Sequence, residues 1–236
     1  MRLPNRLQCP PMGFIDNLKN LSQHLASMVF NPERVQRIAE KFKEIGIEAE
    51  IEWMPTADLQ DMPRNGTRIC VGKVKADASP ISRFEVHVLC RDNRSRNRIL
   101  HFEHHYLADL PGARPAERVK AERVPQYRYW LFGPISGYRW KGGDLGQRLE
   151  ADLRVNRLLD EAGLGRLTVE VDRNNGLLRT VQTLAGRITG GASVLGMLSG
   201  GELPTLVVRD EAPTRERVAA MVELAKAAIQ HLKRIS

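Results

Sequence analysis

Cysteine is scarce in this chain of 236 residues, which contains only Cys9, Cys70 and Cys90. The number is odd and no two of them form a C-x-x-C pair, so the spacing predicts neither a disulfide framework nor a zinc ribbon. Such a cysteine content is typical of a reducing compartment, and we therefore expect a cytoplasmic protein. Cys70 and Cys90 lie within apolar strand patterns and are predicted to be buried thiols.

Long apolar runs are also missing. No stretch approaches the roughly 18 residues that a membrane-spanning helix needs, so we expect no transmembrane segment. The N-terminal MRLPNRLQCPP has basic residues without an apolar segment behind them, which argues against a secretory signal. The motifs G-x-x-x-x-G-K-[ST], G-x-G-x-x-G and G-x-S-x-G are absent as well, so no phosphate-binding loop or nucleophile turn assigns an activity.

Hydrophobic periodicity predicts an α+β fold. Apolar residues spaced three and four apart predict amphipathic helices, and strict alternation predicts half-buried strands. The strands arrive in hairpin runs rather than alternating with helices, which favours antiparallel sheets covered by helices over parallel winding. The main predicted helices have their apolar stripes at 14–28, 35–45, 149–159 and 218–232, and the third of them is predicted to run from Asp144 to Gly163. The clearest strands are 47–53, 67–75, 84–90, 99–107 and 166–172.

A proline-rich stretch without a regular period divides the chain. Residues 111–126 are predicted to be a linker or long loop between 1–110, with two helices and a four-strand meander, and 127–236, closed by a terminal helix. A helix ending in glycine, a strand, an Asn-Gly turn and a second strand occur in both parts. Two related halves would give this pattern, although Asn-Gly hairpins are common enough for chance to explain it.

The segment RILHFEHHY, residues 98–106, holds three of the six histidines. Paired with FEVHVLC, residues 84–90, it predicts a hairpin whose apolar residues share one face, so that paired residue numbers must have an even sum. We predict a sum of 188, which sets His87 opposite His101. His104 then falls on the core side, and the opposite face gathers His87, His101, His105, Glu85 and Glu103.

This polar face suggests a metal site. Imidazoles two apart on one strand and another directly across lie close enough to converge on one ion. Nitrogen ligands with a carboxylate suit Zn²⁺ or non-haem Fe²⁺, and the predicted ligands are His87, His101, His105 and Glu103. The alternative is the ordinary polar face of an antiparallel sheet, since no H-E-x-x-H spacing accompanies the cluster.

Positive charge is concentrated in one part of the chain, whose formal net charge is +8. Residues 91–141 hold eleven Lys or Arg against five acids, a surplus of six. Guanidinium groups fork onto phosphates or carboxylates, and aromatic neighbours can stack on bases. The predicted anion-binding residues are Arg91, Arg94, Arg96, Arg98, Arg128, Arg139 and Lys141.

Taken alone, the sequence favours a non-enzymatic binding or scaffold module whose basic surface takes a protein or polyanionic partner. For that function we expect no cofactor. RNA or DNA binding is one alternative, although no RNP signature, GXXG loop or zinc knuckle is present. The other alternative is a metal-dependent enzyme in which Zn or Fe at the His/Glu cluster activates water.

Overall fold

The computed structural model describes residues 31–54, 66–92, 98–110, 119–128, 134–172, 175–189, 205–208 and 213–234. Within these ranges the chain forms four helices and nine strands, so the predicted α+β class with an antiparallel sheet is confirmed. The helices are α1 (Pro32–Glu44), α2 (Gly143–Ala151), α3 (Leu153–Glu161) and α4 (Arg215–Lys233). The strands are β1 (Ala49–Trp53), β2 (Arg68–Ala78), β3 (Ile81–Asp92), β4 (Arg98–Asp109), β5 (Lys120–Tyr127), β6 (Ile135–Lys141), β7 (Leu167–Asp172), β8 (Leu177–Thr189) and β9 (Thr205–Val208).

One sheet joins the two parts of the chain. Its strand order is β1-β2-β3-β4-β8-β7-β5-β6, every pair of described neighbours is antiparallel, and β9 pairs with the far end of β8. The link between the parts is the β4–β8 pairing, which runs from Asp109 opposite Leu177 to His101 opposite Ala185. The predicted units 1–110 and 127–236 therefore share a sheet rather than each completing its own.

The predicted linker at 111–126 is wrong for its second part, because Lys120–Tyr127 forms β5 between β6 and β7. Residues 111–118 lie outside the described ranges. Pro125 argued against a strand, yet pairing with β7 covers only Lys120–Arg123, so Pro125 sits beyond the doubly paired part of β5, where proline is tolerated.

Arg123 is the second reason that the sequence does not predict β5 as a strand. It occupies a fully buried position where alternation predicts an apolar residue. Its guanidinium donates to the backbone carbonyl of Leu164 and to the carboxylate of Asp160, and it lies over the ring of Tyr138 at 4.6 Å. These partners replace the water that a buried cation loses.

The predicted helix from Asp144 to Gly163 is divided at Asp152 into α2 and α3, and side-chain caps begin α1 and α4. Asn31 caps α1, its side chain accepting from the backbone N–H of Glu33, and Pro32 occupies the first turn. The chain leaves α1 through Gly46, whose φ of 81° favours glycine. Thr214 caps α4 by accepting from the backbone N–H of Arg217.

The helices cover one face of the sheet. α4 contacts α1, α2, α3 and β8, and its buried residues include Val218, Met221 and Leu224. On the sheet side, alternate residues of β3 and β4 such as Phe84 and Phe102 complete the core. The opposite face carries the polar residues of the same strands.

α1 lies close against β2 at Gly72. A Cβ atom at this position would lie 2.3 Å from Val35 Cγ2, so a larger residue would force the helix away from the sheet. The predicted helix at 14–28 lies outside the described residues. Among the helices that are described, none combines the length and apolar character that crossing a membrane requires.

Candidate metal centre

The polar face of the β2–β3–β4 hairpins holds the histidines and glutamates that the sequence singles out. Alternation predicts the faces correctly. His104 lies on the core side, fully buried and edge-on to Phe84 with ring centroids 5.2 Å apart. Glu85, His87, Glu103 and His105 lie together on the other side.

The register differs from the predicted one by two residues. The paired numbers sum to 190, not 188, so His87 lies opposite Glu103 and His101 lies opposite Leu89. A shift of two residues leaves every side chain on its face, and for this reason the polarity pattern cannot distinguish the two registers. The connection 93–97, which lies outside the described residues, spans the hairpin from Asp92 to Arg98.

Two Glu-x-His units face each other across this hairpin. Glu85 accepts from Nε2 of His87 at 2.8 Å, and Glu103 accepts from Nε2 of His105 at 3.0 Å. The two imidazole rings stack with centroids 4.0 Å apart and an interplanar angle of 17°. The strands run antiparallel, so each glutamate lies opposite the histidine of the other unit.

In the Glu103 unit a cation pairs with the glutamate, and we call this unit closed for that reason. Arg68 contacts both carboxylate oxygens of Glu103, through Nε at 2.8 Å and Nη2 at 3.3 Å. Burial raises the pKa of Glu103, but the hydrogen bonds and charges of His105 and Arg68 outweigh it and hold the pKa at about 2. Burial lowers the pKa of His105 to about 4, so this imidazole is neutral at pH 7.

We call the Glu85 unit open, because no Lys or Arg of the described residues lies within hydrogen-bond distance of its carboxylate. Its nearest cations are Nζ of Lys73 and Nη1 of Arg83, each 3.9 Å from the same oxygen, Oε1. Neither distance is a hydrogen bond. The hydrogen bond from His87 lowers the pKa of Glu85 below its ordinary value, although burial works against this.

A β-bulge adds a thiol to this open unit. The register between β2 and β3 shifts between Cys70, opposite His87, and Gly72, opposite Val86. The extra residue, Val71, therefore moves Cys70 to the polar face, whereas simple alternation would keep it with the core residues of β2. The thiol donates to the backbone carbonyl of Gly72 at 3.6 Å, and burial raises its pKa.

Cys70, Glu85 and His87 each offer one ligand atom, and the three atoms lie within 4.8 Å of one another. In a tetrahedral zinc site with bonds of about 2.0–2.3 Å, ligand atoms stand about 3.5 Å apart. Small side-chain rotations are therefore enough to bring the three atoms around one ion. A thiol, an imidazole and a carboxylate are all zinc ligands.

The predicted ligand set of His87, His101, His105 and Glu103 stays a prediction, and the structure brings only part of it together. The structure brings His87 and His105 into ring contact and Glu103 to His105, but His101 lies farther along β4 and is outside the three-ligand group. Glu103 is engaged by Arg68. Sequence analysis missed Cys70 as a ligand, and the signal for it was Gly72, since glycine within a strand often marks a bulge.

Among the predicted anion-binding residues that are described, Arg91, Arg98 and Arg128 lie toward one end of the sheet, whereas Arg139 and Lys141 lie level with Arg123. Arg123, Leu167, Gln182 and His104 form one lateral row across β5, β7, β8 and β4. From this row, β5 runs forward to Arg128 and β4 runs back to Arg98, so both hairpins end on the same side.

The two hairpins are not adjacent. β8 and β7 lie between β4 and β5, which separates the hairpins by about 14 Å at the usual strand spacing. Arg139 and Lys141 are exposed on β6, opposite Val124 and Glu122. At the ends of β3 and β4, Arg91 lies opposite Ile99 and Arg98 lies opposite Asp92. Arg94 and Arg96 lie outside the described residues.

Comparisons with protein-family models, with curated proteins and with solved structures gave no match. The functional assignment therefore depends on the geometry of this chain.

Proposed function

We propose that this protein binds a divalent transition-metal ion, with Cys70, Glu85 and His87 as ligands and Zn²⁺ as the best-suited ion. The observation that carries the proposal is that one ligand atom from each of the three lies within 4.8 Å of the other two. The two strands that supply these residues are paired, which limits how far the ligands can move apart.

The chemistry of the ligands selects among metals. A thiolate favours zinc and other thiophilic ions and disfavours Mg²⁺ and Ca²⁺, which prefer all-oxygen sites. Fe²⁺ is the second candidate on the same grounds. A metal ion would displace the proton of the Cys70 thiol, and this requires reduced cysteine, which supports the proposal of a reducing, cytoplasmic location.

The number of protein ligands bears on what the ion does. Structural zinc sites usually have four protein ligands, whereas catalytic sites have three and leave a position for water or substrate. The three-residue group fits the second type. His105, stacked on His87, would hold the imidazole plane in place, as groups around a metal's direct ligands commonly do.

The test is metal binding by the full chain prepared without a histidine tag. After exposure to Zn²⁺ and removal of excess ion, elemental analysis should give stoichiometric zinc. Co²⁺ in its place should produce a thiolate-to-cobalt charge-transfer absorption. Cys70→Ser should abolish that absorption and weaken binding by more than about tenfold, since disturbing even a ligand's supporting group costs about that much.

His101→Ala is the matched control, because His101 lies on the same strand as His105 but outside the three-ligand group. It should leave the cobalt absorption unchanged. A correctly folded wild-type protein that takes up no zinc or cobalt would refute the metal proposal, and loss of binding in His101→Ala alone would refute this choice of ligands.

A second candidate function is the binding of an anionic partner at the basic end of the sheet. The observation that favours it is that Arg91, Arg98 and Arg128 occupy backbone positions toward the same end of the sheet. A non-enzymatic module with a protein or polyanionic partner is compatible with this arrangement, and nucleic acid is the polyanion to test first.

Salt dependence tests the second candidate. Affinity for a nucleic acid should fall steeply between about 50 and 200 mM salt, because binding releases counterions from the phosphates. Replacing Arg94 and Arg96 with glutamine should reduce the logarithmic slope by about two, one unit for each lost phosphate contact. An affinity that stays level over this salt range would refute polyanion binding.

A further inference from the structure

Two cations of the described part of the chain lie beside the proposed metal ligands, and neither is within hydrogen-bond distance of Glu85. Lys73 and Arg83 each stand 3.9 Å from Oε1 of Glu85, on neighbouring strands. Lys73 is directly opposite Glu85, and Arg83 precedes it by two residues on β3. Both remain partly accessible, with 35% and 40% of their side chains exposed.

The Glu103 unit shows what a closed arrangement looks like in the same sheet. There a single arginine, Arg68, contacts both oxygens of the glutamate at 2.8 and 3.3 Å. In the Glu85 unit, by contrast, the two cations converge on one oxygen without reaching it. Nζ of Lys73 and Nη1 of Arg83 are therefore placed to bind a further acceptor beside Glu85, while Nε of Arg83 pairs with Glu52.

The charge balance of the metal-loaded site predicts that this acceptor is an anion. Without metal, Lys73 and Arg83 are matched by Glu85 and by Glu52, which contacts Arg83 at 3.2 Å. A divalent ion adds two positive charges, and ionisation of the Cys70 thiol removes one of them. The loaded site then carries one uncompensated positive charge beside an open coordination position.

We infer that the metal-loaded site takes an oxyanion, of the phosphate or carboxylate class, as its fourth ligand, with Lys73 and Arg83 donating to its remaining oxygens. This inference rests on the proposed metal function and names the class of ligand or substrate for it. One oxygen binds the ion, and the others accept charge-assisted hydrogen bonds from the two cations.

The experiment uses the full chain loaded with Co²⁺ and two probes, inorganic phosphate and acetate, which separate a phosphoryl ligand from a carboxylate ligand. Addition of the preferred probe should change the visible cobalt spectrum and release heat in calorimetry. The metal-free protein should not bind the probe. Lys73→Met should weaken probe binding by at least about tenfold, the effect of losing one charge-assisted hydrogen bond.

Lys75→Met is the matched control. It removes the same charge from the same face of β2, but Lys75 lies opposite Arg83, one step farther from Glu85. It should change probe affinity by less than about twofold, because its effect is limited to screened, long-range attraction. Both substitutions are on accessible side chains and should leave folding and cobalt binding intact.

The outcomes separate the two proposals. If cobalt binds with its thiolate absorption but neither probe alters the spectrum, or if the two lysine variants weaken the probe equally, the oxyanion inference is overturned and the metal proposal stands. If cobalt does not bind, both are overturned. Probe binding that requires metal and depends on Lys73 more than on Lys75 supports the inference.

Discussion

The rings of His87 and His105 stack at 4.0 Å with an interplanar angle of 17°. Each ring is also bound through Nε2 to a glutamate of its own strand. This contact couples the open Glu85 unit to the closed Glu103 unit, because a change in the position or protonation of one imidazole is felt by the other. The buried ring of His105, with 1% of its side chain exposed, is the less adaptable partner.

The unfolding free energy should decrease as the pH is lowered from 7 to 4. His105 has a pKa of about 4 in the folded chain and 6.5 ordinarily, so the unfolded state binds more protons between these values and gains stability as the pH falls. We expect a loss of about 2–3 kcal/mol over this range. Below pH 4.5, Glu103 adds to the loss, since its pKa is about 2 when folded.

Urea denaturation at several pH values measures this dependence. His105→Gln removes the titrating imidazole, so its unfolding free energy should change little between pH 7 and 5, although the variant starts from a lower stability. Parallel curves for the wild type and His105→Gln in that interval would contradict the assignment of the pH dependence to His105.

Zinc should stabilise the fold. An ion that binds only the folded chain adds about 2.7 kcal/mol at a free concentration of one hundred times its dissociation constant. Thermal or urea unfolding with and without zinc measures the increase. Cys70→Ser should lose the increase, and His101→Ala should retain it. An equal response of all three proteins would indicate binding at another place.

Arg68→Met should destabilise the protein, because Glu103 is 6% exposed and would lose the guanidinium that contacts both of its oxygens. Arg68 itself is half exposed and water screens the pair, so we expect about 1–2 kcal/mol. Arg37→Met is the comparison, since Arg37 and Glu33 are 62% and 72% exposed. It should cost less than about 0.5 kcal/mol. Equal costs in urea denaturation would refute a special role for Arg68.

Gly72→Ala should cost about 1–3 kcal/mol, the usual range for overpacking, because its Cβ would overlap Val35 Cγ2. Trimming the neighbour in the double variant Gly72→Ala/Val35→Ala should recover part of this loss, which a double-mutant cycle measures. Gly137→Ala is the control, since the nearest atom to its added Cβ is 3.9 Å away. It should be close to neutral. Absence of coupling between positions 72 and 35 would refute the contact.

Alternation of polar and apolar residues was sufficient to predict which face of the sheet each histidine occupies. His104 and Tyr106 lie on the core side, and His105 lies on the other, because adjacent residues of a strand point in opposite directions. The same periodicity predicted α4 and its buried stripe, including Val218 and Met221.

Alternation of polar and apolar residues did not determine the register between strands or the position of a bulge. The two-residue offset between β3 and β4 leaves every side chain on the same face, so the pattern of polar and apolar residues cannot predict which register forms. The bulge at Val71 has the opposite effect: it changes the face of Cys70 without altering the composition of the strand. The thiol therefore joined the candidate site only when the pairing was known.

The buried Arg123 marks a different limit. Its position in β5 is stable because Asp160, the Leu164 carbonyl and the Tyr138 ring surround the guanidinium. All three partners are distant in sequence, so a local pattern around Arg123 contains no sign of them. A charged residue at an inward position interrupts the alternation by which a strand is predicted.

The pairing of β4 with β8 has a practical consequence for dissecting this protein. Cutting the chain between Asp109 and Lys120 would separate these neighbours and leave the backbone amides and carbonyls of nine paired positions in each strand without their partners. Unpaired strand edges form hydrogen bonds with strands of other chains, which leads to aggregation. Each half should therefore aggregate when it is expressed alone. Co-expression of the two halves should restore soluble protein, because β4 and β8 can then pair.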